Sequence, residues 1–124
     1  MDQPIPTGLV VDDEPEVRRL FATVLRRASI RVFEAESGDA ALALLETARP
    51  DFVVTDVEMP GISGVELCRQ LRSHAAFEKV VIVVVSGAAG AAGHEAIAAG
   101  CDAVLPKPCP PRVLLSTIER LLAR

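Results

Sequence analysis

The amino-acid sequence predicts an α/β fold, a doubly wound sheet of five parallel strands with helices on both faces. Five short apolar runs alternate with five stretches in which apolar residues recur at helical spacing, which is typical of repeated strand–helix units. Residues 80–85 are continuously hydrophobic rather than alternating, which indicates a central strand buried on both faces. The connections between such parallel strands are expected to be right-handed.

The first half of the chain contains two complete strand–helix units. Residues 8–11 are predicted to be a strand that ends in acids, and Pro15 suits the first turn of a helix, where its missing N–H costs nothing. The apolar face of this helix is Val17, Leu20, Phe21, Val24, Leu25 and Ala28. Residues 30–35 are predicted to be the second strand. Ser37 is the expected cap of the second helix, whose apolar face runs from Ala41 to Ala48 before Pro50 closes it.

The third unit begins with residues 52–56, a strand that stops at a carboxylate before Pro60 and Gly61 break the chain. Ser63 is the expected cap of the helix that follows. The fourth strand, residues 80–85, leads to a helix predicted over residues 88–99. Gly90 and Gly93 lie inside it, and each costs about 1 kcal/mol in a helix interior. We therefore expect this helix to be short or to start late, and to be the least stable in the domain.

The last unit follows Gly100, which is a typical residue just past a helix end. Residues 101–105 are predicted to be the fifth strand. The last helix is expected to begin at residue 110 or 111, and its apolar face is Pro111, Leu114, Leu115, Ile118, Leu121 and Leu122.

Length and composition indicate one globular domain over residues 1–124, with residues 1–6 as an irregular and disordered lead-in. Half of the 124 residues (50%) are hydrophobic and 24% are charged, which is a globular balance. The formal net charge of -4 argues against direct nucleic-acid binding. No apolar run reaches membrane-spanning length and no signal-peptide pattern is present, so we expect a cytoplasmic location without membrane contact. Cys68, Cys101 and Cys109 form no C-x-x-C pair and are interpreted as small hydrophobic residues.

Residues with side chains suited to phosphate or metal chemistry follow four of the five predicted strands. They are Asp12 and Asp13 after the first strand, Asp56 after the third, Ser86 after the fourth and Lys107 after the fifth. In open parallel sheets, ligands bind beyond the carboxyl ends of the strands. All five side chains are therefore expected at one rim of the sheet. An acid in such a position can also be a simple turn cap, and the agreement of four strands argues against that interpretation.

The charges of this group suit the binding of a phosphoryl group. Three carboxylates held together raise one another's pKa unless a cation is present. Mg²⁺ binds one or two carboxylates, keeps several waters and accepts phosphate oxygens. Lys107 adds a positive charge and Ser86 adds a hydroxyl donor. Asp56 is the best candidate for a nucleophile on phosphorus, because it projects alone from the central part of the sheet.

The chain resembles the receiver domains of two-component response regulators from about Gly8 to Leu122. The motifs that carry the resemblance are Leu9-Val-Val-Asp12-Asp13-Glu-Pro15, Asp56-Val-Glu-Met-Pro60-Gly61, Gly64-Val-Glu-Leu67, Val84-Val-Ser86-Gly87, and residues 100–108 with Lys107 and Pro108. In this order and spacing the motifs are highly specific. The resemblance implies a flavodoxin-like receiver fold with the strand order 2-1-3-4-5.

The resemblance also implies a role for each site residue. Asp56 matches the phosphoacceptor, and Asp12 and Asp13 match the Mg²⁺-binding acids, with Asp56 itself and the backbone carbonyl of Glu58 as further ligands. Ser86 matches the hydroxyl residue that moves toward the phosphoryl group, and Lys107 matches the family lysine, with a cis Lys107–Pro108 bond. The implied partners are a histidine kinase or phosphotransfer protein as donor and an effector protein or domain as recipient of the signal. The domain is expected to act only in its own phosphorylation and dephosphorylation and not as an enzyme on other substrates.

One position departs from the family pattern. The fifth strand carries Val104 where relatives usually have an aromatic residue that turns inward on activation. We hypothesise that the signal instead passes through the loop of residues 86–93 and the glycine-rich helix after it. A second interpretation is a docking module that never requires phosphate. A third, a flavodoxin-like cofactor binder, is disfavoured because the chain has no Trp or Tyr and has acids in place of a phosphate loop.

Overall fold

Five strands and five α-helices alternate along the part of the chain that the computed structural model describes, residues 4–87 and 90–124. The strands are β1 (Thr7–Val11), β2 (Arg31–Ala35), β3 (Phe52–Asp56), β4 (Val81–Ser86) and β5 (Ala103–Pro106). The helices are α1 (Pro15–Arg27), α2 (Gly38–Leu45), α3 (Gly64–Arg72), α4 (Ala91–Ala99) and α5 (Pro111–Leu122), with one 3₁₀ turn at Ala75–Phe77. Residues 4–6 have no regular structure, and residues 1–3 of the predicted lead-in lie outside the described part.

The sheet is entirely parallel and its strand order is β2-β1-β3-β4-β5, which confirms the predicted fold class. The order reverses between β1 and β3, since the chain first moves outward to β2 and then returns to the other side of β1. At such a reversal the loops after the two central strands separate and leave a crevice at the carboxyl ends. The loops that begin at Asp12 and Val57 flank that crevice.

Two hydrophobic layers cover the sheet, one on each face. One layer packs α1 and α5 against Val10, Phe52, Val54, Val83 and Val85. The other packs α2, α3 and α4 against the strand residues that point the opposite way, such as Leu9, Val53, Ile82 and Val84. Every residue of β3 is buried, as a β-branched run in a central parallel strand requires.

The predicted helix signals are found at the expected residues. Ser37 Oγ accepts the N–H of Ala40 at 3.0 Å, and Ser63 Oγ accepts the N–H of Glu66 at 3.1 Å. Pro15 and Pro111 occupy the first turns of α1 and α5. The two serine caps satisfy N–H groups that have no partner inside their helices.

Several predicted boundaries differ from the structure, among them those of α2, β4 and β5. Helix α2 ends at Leu45 rather than near Ala48, because the N–H groups of Thr47 and Ala48 both bond the Leu44 carbonyl in a closing turn. Strand β4 is shifted by one residue, so Ser86 lies within it. Strand β5 starts at Ala103 rather than Cys101, because the N–H of Cys101 still bonds the carbonyl of Ala96 in α4.

Helix α4 starts late, as predicted from its glycines. It begins at Ala91, after Gly90 with a φ of 77° and no side-chain cap, and it ends at Gly100 in the left-handed region with a φ of 106°. Residues 88 and 89, with which the predicted helix began, lie outside the described residues. Neither α4 nor any other helix in the described ranges has the length and apolar character that a membrane crossing requires.

The three cysteines are free, and Cys68 alone is fully buried while Cys101 and Cys109 are partly buried. Burial raises the pKa of the Cys68 thiol to about 11. Such thiols are protonated at neutral pH and contribute as small apolar groups, in agreement with the interpretation of the sequence.

Arg72, at the end of α3, joins three segments that are distant along the chain. Its Nη1 donates to the carbonyls of Phe77, Glu78 and Val80 at 3.1, 3.1 and 2.7 Å. Its Nε donates to the Gly100 carbonyl at 2.9 Å, and its Nη2 bonds Asp102 at 2.9 Å. The guanidinium thereby satisfies carbonyls before β4 and after α4 that the sheet does not use.

We predict that Arg72→Met destabilises the domain by about 2–4 kcal/mol, because partly buried carbonyls lose the donor that Arg72 supplies and Asp102 loses one of its partners. Urea unfolding measures this change, and the melting temperature should fall by roughly 10 °C. The control is Arg69→Met on the same helix, whose exposed ion pair with Glu66 at 3.6 Å should be worth under about 0.5 kcal/mol. Equal stability of the two variants would contradict a structural role for Arg72.

Candidate functional site

The acidic side chains predicted at the strand ends converge at one rim of the sheet. Asp12 and Asp13 directly follow β1, and Asp56 is the last residue of β3. One carboxylate oxygen from each of these three residues lies within 4.8 Å of the other two. Strands β1 and β3 are neighbours in the sheet, so their carboxyl ends bring the acids together although the sequence separates them.

Lys107 reaches this group from the far side of β4. Its Nζ lies 3.1 Å from Asp56 Oδ2 and 3.4 Å from Asp12 Oδ2. A third carboxylate, Glu14 Oε1, lies 3.5 Å from the same nitrogen. The N–H of Lys107 donates to the Ser86 carbonyl at 2.9 Å, and the Lys107–Pro108 bond is cis, as the resemblance implied.

The carboxylate of Asp56 is held at both oxygens. Oδ1 accepts the N–H of Val57 at 2.7 Å, and Oδ2 accepts Lys107 Nζ. Its backbone is also closely packed, because a Cβ at Gly64 would collide with the Asp56 carbonyl oxygen. Glycine at position 64 therefore lets α3 begin against the end of β3, and the carboxylate projects from a rigid base.

Asp12 is almost fully buried, with 2% of its surface exposed. Burial raises the pKa of its carboxyl, and the nearby Asp56 raises it further, whereas the N–H of Glu14 at 2.9 Å from Oδ1 and the charge of Lys107 lower it. The net result is a raised pKa. The folded protein therefore binds the proton of this carboxyl more tightly than the unfolded chain does.

The pKa of Lys107 is raised as well. Burial alone would lower it, but the hydrogen bond to Asp56 and the charges of Asp12 and Asp56 outweigh that effect. The lysine is therefore protonated at neutral pH. Its single positive charge faces three carboxylates, which leaves the rim with a net negative charge that suits a further cation.

An open recess of about 350 Å³ lies over these groups. The acidic recess, as we call it, is lined by Asp13, Glu14, Asp56, Glu58, Gly87 and Lys107. Ser86 is buried at the end of β4 and lines an adjoining recess of about 330 Å³, which shares Gly87 and Lys107 with the first. The predicted site residues are thus all at this rim, although the serine lies beside the acidic recess rather than in its lining.

Glu14 was not among the predicted site residues, yet it lines the acidic recess and contacts Lys107. Its position in the acidic run between Asp13 and Pro15 is the sequence feature that could have indicated this role. Glu58 also lines the recess, and the resemblance suggested a role only for its backbone carbonyl. Together the lining groups offer carboxylate oxygens for a hard cation and one ammonium for an anion bound beside it.

Comparison with known proteins identifies a similar domain over nearly the whole chain. The family model described as the response regulator receiver domain matches residues 9–119. Over 127 aligned residues, the chain is 38% identical to the transcriptional regulatory protein ResD of Bacillus subtilis, covering 100% of this chain and 51% of that protein. It is 32% identical over 123 residues to the phosphate regulon transcriptional regulatory protein PhoB of Pseudomonas aeruginosa, covering 95% of this chain and 52% of that protein. The chain thus spans about half the length of these curated relatives.

Solved structures show the same architecture. The chemotaxis response regulator CheY4 of Vibrio cholerae superimposes with a TM-score of 0.90 at 29% identity, over 95% of this chain and 99% of that one. A CheY-like response regulator receiver domain protein of Methanospirillum hungatei gives a TM-score of 0.91 at 25% identity, over 97% and 95% of the two chains. The strand order and the rim described above are therefore those of a known fold.

We predict that Asp12→Asn stabilises the metal-free protein by roughly 0.5–2 kcal/mol, at the expense of function. The raised pKa means that the folded state holds this proton more tightly than the unfolded chain, so the ionised acid lowers stability at neutral pH. Urea unfolding in a chelating buffer at pH 7 measures the change. The exposed Glu95→Gln on α4 is the control and should stay within about 0.5 kcal/mol of the wild type. A less stable Asp12→Asn protein would show that the contact with Lys107 outweighs the burial penalty.

Proposed function

The chain belongs to the family of response regulator receiver domains, and we propose that residues 1–124 form one such domain that accepts a phosphoryl group on Asp56. Receiver domains are signalling domains of two-component systems. The observation that supports the proposal is the contact of Lys107 with Asp56 at the centre of three clustered carboxylates. We propose further that the domain acts on its own phosphorylation state rather than on separate substrates.

In the proposed reaction, an Asp56 oxygen attacks the phosphorus of a phosphohistidine. The new O–P bond makes an acyl phosphate, the N–P bond of the donor breaks, and the released imidazole takes a proton from water. Asp56 suits this role because the Val57 N–H and Lys107 orient its carboxylate toward the acidic recess. Lys107 would neutralise charge on the transferring oxygens, and the Ser86 hydroxyl would bond one of them after transfer.

The acid group fits a magnesium ion. Asp12, Asp13 and Asp56 would hold it, with the backbone carbonyl of Glu58 as a further ligand. Hard oxygen donors in this number are those that Mg²⁺ takes, and its bound waters leave room for phosphate oxygens. The ion supplies charge neutralisation for the phosphoryl group. Burial raises the pKa of the Asp12 carboxyl, and a bound cation would favour its ionised form.

The proposed partners are a histidine kinase or phosphotransfer protein that supplies the phosphoryl group and an effector that receives the signal. ResD and PhoB are named as transcriptional regulatory proteins, and the chain matches about half of each. The effector can therefore be a second domain or a separate protein. The alternative function, docking without phosphate, has no support among the relatives, and the complete set of acids and Lys107 speaks against it.

We propose that the signal leaves the site through α4. Val104 is half-buried on β5 and lies opposite Gly93, where an added Cβ would be 3.7 Å from Val104 Cγ1. Neither residue has a ring that could change position. Helix α4 lacks a side-chain cap and contains Gly93, so its free energy of unfolding is expected to be low. A new contact between the phosphoryl group and residues near Ser86 could order such a segment.

We predict that incubation with Mg²⁺ and a small phosphodonor adds one phosphoryl group to the protein. Intact mass spectrometry is the measurement, and the adduct should be labile to hydroxylamine, as an acyl phosphate is. Asp56→Asn should remove the adduct, whereas the exposed Asp39→Asn should keep it. Lys107→Met should slow its formation by roughly 100-fold, since one charge donor to the transferring group is lost. No adduct on the wild type, or an adduct that survives in Asp56→Asn, would refute the proposal.

We predict that phosphorylation protects residues 86–99 from amide hydrogen exchange by roughly tenfold, which corresponds to about 1.4 kcal/mol of local stability. The segment includes residues 88 and 89, whose structure is outside the described part. Amides of α2, on the far side of α3, serve as the internal control and should not change. The Asp56→Asn protein under the same conditions is the second control. Unchanged exchange over residues 86–99 in a fully phosphorylated sample would show that the signal takes another route.

A further inference from the structure

Arg18, on α1, contacts the backbone of the acid pair without lining the acidic recess. Its Nη1 donates to the carbonyl oxygen of Asp12 at 2.9 Å. Only 13% of the Arg18 side chain is exposed. The bonded carbonyl belongs to the peptide that joins Asp12 to Asp13, and a peptide is planar. The hydrogen bond to this oxygen therefore fixes the plane of the peptide, and with it the backbone from which both carboxylates project.

Arg18 is itself held by a chain of charged contacts that reaches β2. Its Nε donates to Glu34 Oε1 at 3.3 Å, and Arg26 Nη1 donates to Glu34 Oε2 at 3.1 Å. Arg26 Nη2 also donates to the Val32 carbonyl at 2.8 Å. A guanidinium bonded through both Nε and Nη1 cannot rotate freely, because its donors form a rigid fork. Glu34 therefore orients Arg18, and Arg26 orients Glu34.

The two acids depend differently on this contact. Asp12 is already held by three other hydrogen bonds, from its N–H to the Ala35 carbonyl at 3.1 Å, from the Glu14 N–H to its Oδ1 at 2.9 Å and from Lys107 Nζ to its Oδ2 at 3.4 Å. Asp13 is exposed, and its side chain makes no hydrogen bond or ion pair with any residue of the described ranges. The direction of the Asp13 carboxylate therefore depends on its backbone, whose preceding peptide Arg18 holds.

We propose that Arg18 is a positioning residue that holds the peptide between Asp12 and Asp13 so that both carboxylates can face one cation. The inference rests on the proposed function of these acids. The charge of Arg18 makes it testable, because a guanidinium beside the acids repels a cation. If Arg18 acted only through its charge, its removal would tighten cation binding. If it acts by holding the peptide, its removal weakens binding.

Titration calorimetry with Mg²⁺ alone separates these two effects. The expected result for Arg18→Met is an affinity roughly tenfold weaker than that of the wild type, the size typical of groups that orient metal ligands. Arg18→Lys keeps the charge and one donor, and its Mg²⁺ affinity should lie between those of the wild type and Arg18→Met. The control is Arg19→Met, the exposed neighbour on α1, which removes an equal charge and makes no contact with the acids.

Glu34→Gln tests whether the acid on β2 acts through Arg18. Alone it should weaken Mg²⁺ binding, because Arg18 loses its orienting partner. In the Arg18→Met background the same change should add little, since both act on one peptide. Independent, additive effects would mean that Glu34 acts on the cation only as a distant charge and would contradict the chain of contacts.

The rate of phosphorylation provides a readout that a general loss of stability would not reproduce. Asp56 and Lys107 are untouched in Arg18→Met, so its maximal rate at saturating Mg²⁺ should stay within about twofold of the wild type. The Mg²⁺ concentration for half of that rate should rise in parallel with the calorimetric dissociation constant. Urea unfolding of each variant confirms that the folded protein is being compared.

The outcomes separate this inference from the proposed function. A wild type that binds Mg²⁺ and is phosphorylated, together with an Arg18→Met protein of equal or tighter Mg²⁺ affinity, overturns the positioning role alone. A wild-type protein that neither binds Mg²⁺ nor is phosphorylated overturns both the positioning role and the proposed function. If Arg18→Met does not fold, Arg18→Lys decides the question by the same titration, because it keeps the positive charge: weaker Mg²⁺ binding supports the role, and unchanged binding refutes it.

Discussion

The contact between Lys107 and the carboxylates of Asp56 and Asp12 is the interaction on which the site depends. It joins residues that are 51 and 95 positions apart in the chain, and it forms only when three strands end at the same rim. Strand β5 is separated from β3 by β4, so the lysine side chain must cross the end of β4 to reach Asp56. The site therefore depends on the parallel sheet, because parallel strands place the carboxyl ends of β1, β3 and β5 at the same rim.

This arrangement lowers the stability of the protein in order to keep the site charged. Asp12 is buried among other acids, and its raised pKa records the penalty of ionising it there. The fold offsets this penalty with features outside the site. Strand β3 is buried along its whole length, Gly64 allows α3 to pack against the end of that strand, and Arg72 joins α3 to both segments that follow it. A strained acid cluster on a rigid frame is typical of functional sites.

Much of the architecture is predictable from the sequence because its signals are local. The apolar runs predict the strands, and Ser37, Ser63 and the prolines mark helix starts through their own hydrogen bonds or fixed φ. The boundaries that differed, at the end of α2 and the start of β5, depend on backbone bonds of Leu44 and Ala96 that no local pattern specifies. The convergence of the predicted site residues at one rim could be predicted because each lies at or just after a strand end. Glu14 and Arg18 were missed because their roles are contacts across elements, with Lys107 in one case and a backbone carbonyl in the other.

The resemblance implies an aromatic residue at the position of Val104, and valine has no ring that could turn inward. A side chain that turns inward can transmit a signal only if it has two positions that differ in packing. Valine is small, so a rotation of Val104 beside Gly93 would change the packing little. The adjoining recess at Ser86 is instead bordered by Gly87, Gly90 and Gly93, whose backbones lose more freedom on ordering than other residues do. A phosphoryl group at Asp56 would lie beside this segment. We propose that the signal is carried by ordering of the backbone in this segment rather than by the rotation of a ring, because a glycine-rich segment has conformational freedom that a single new contact can remove.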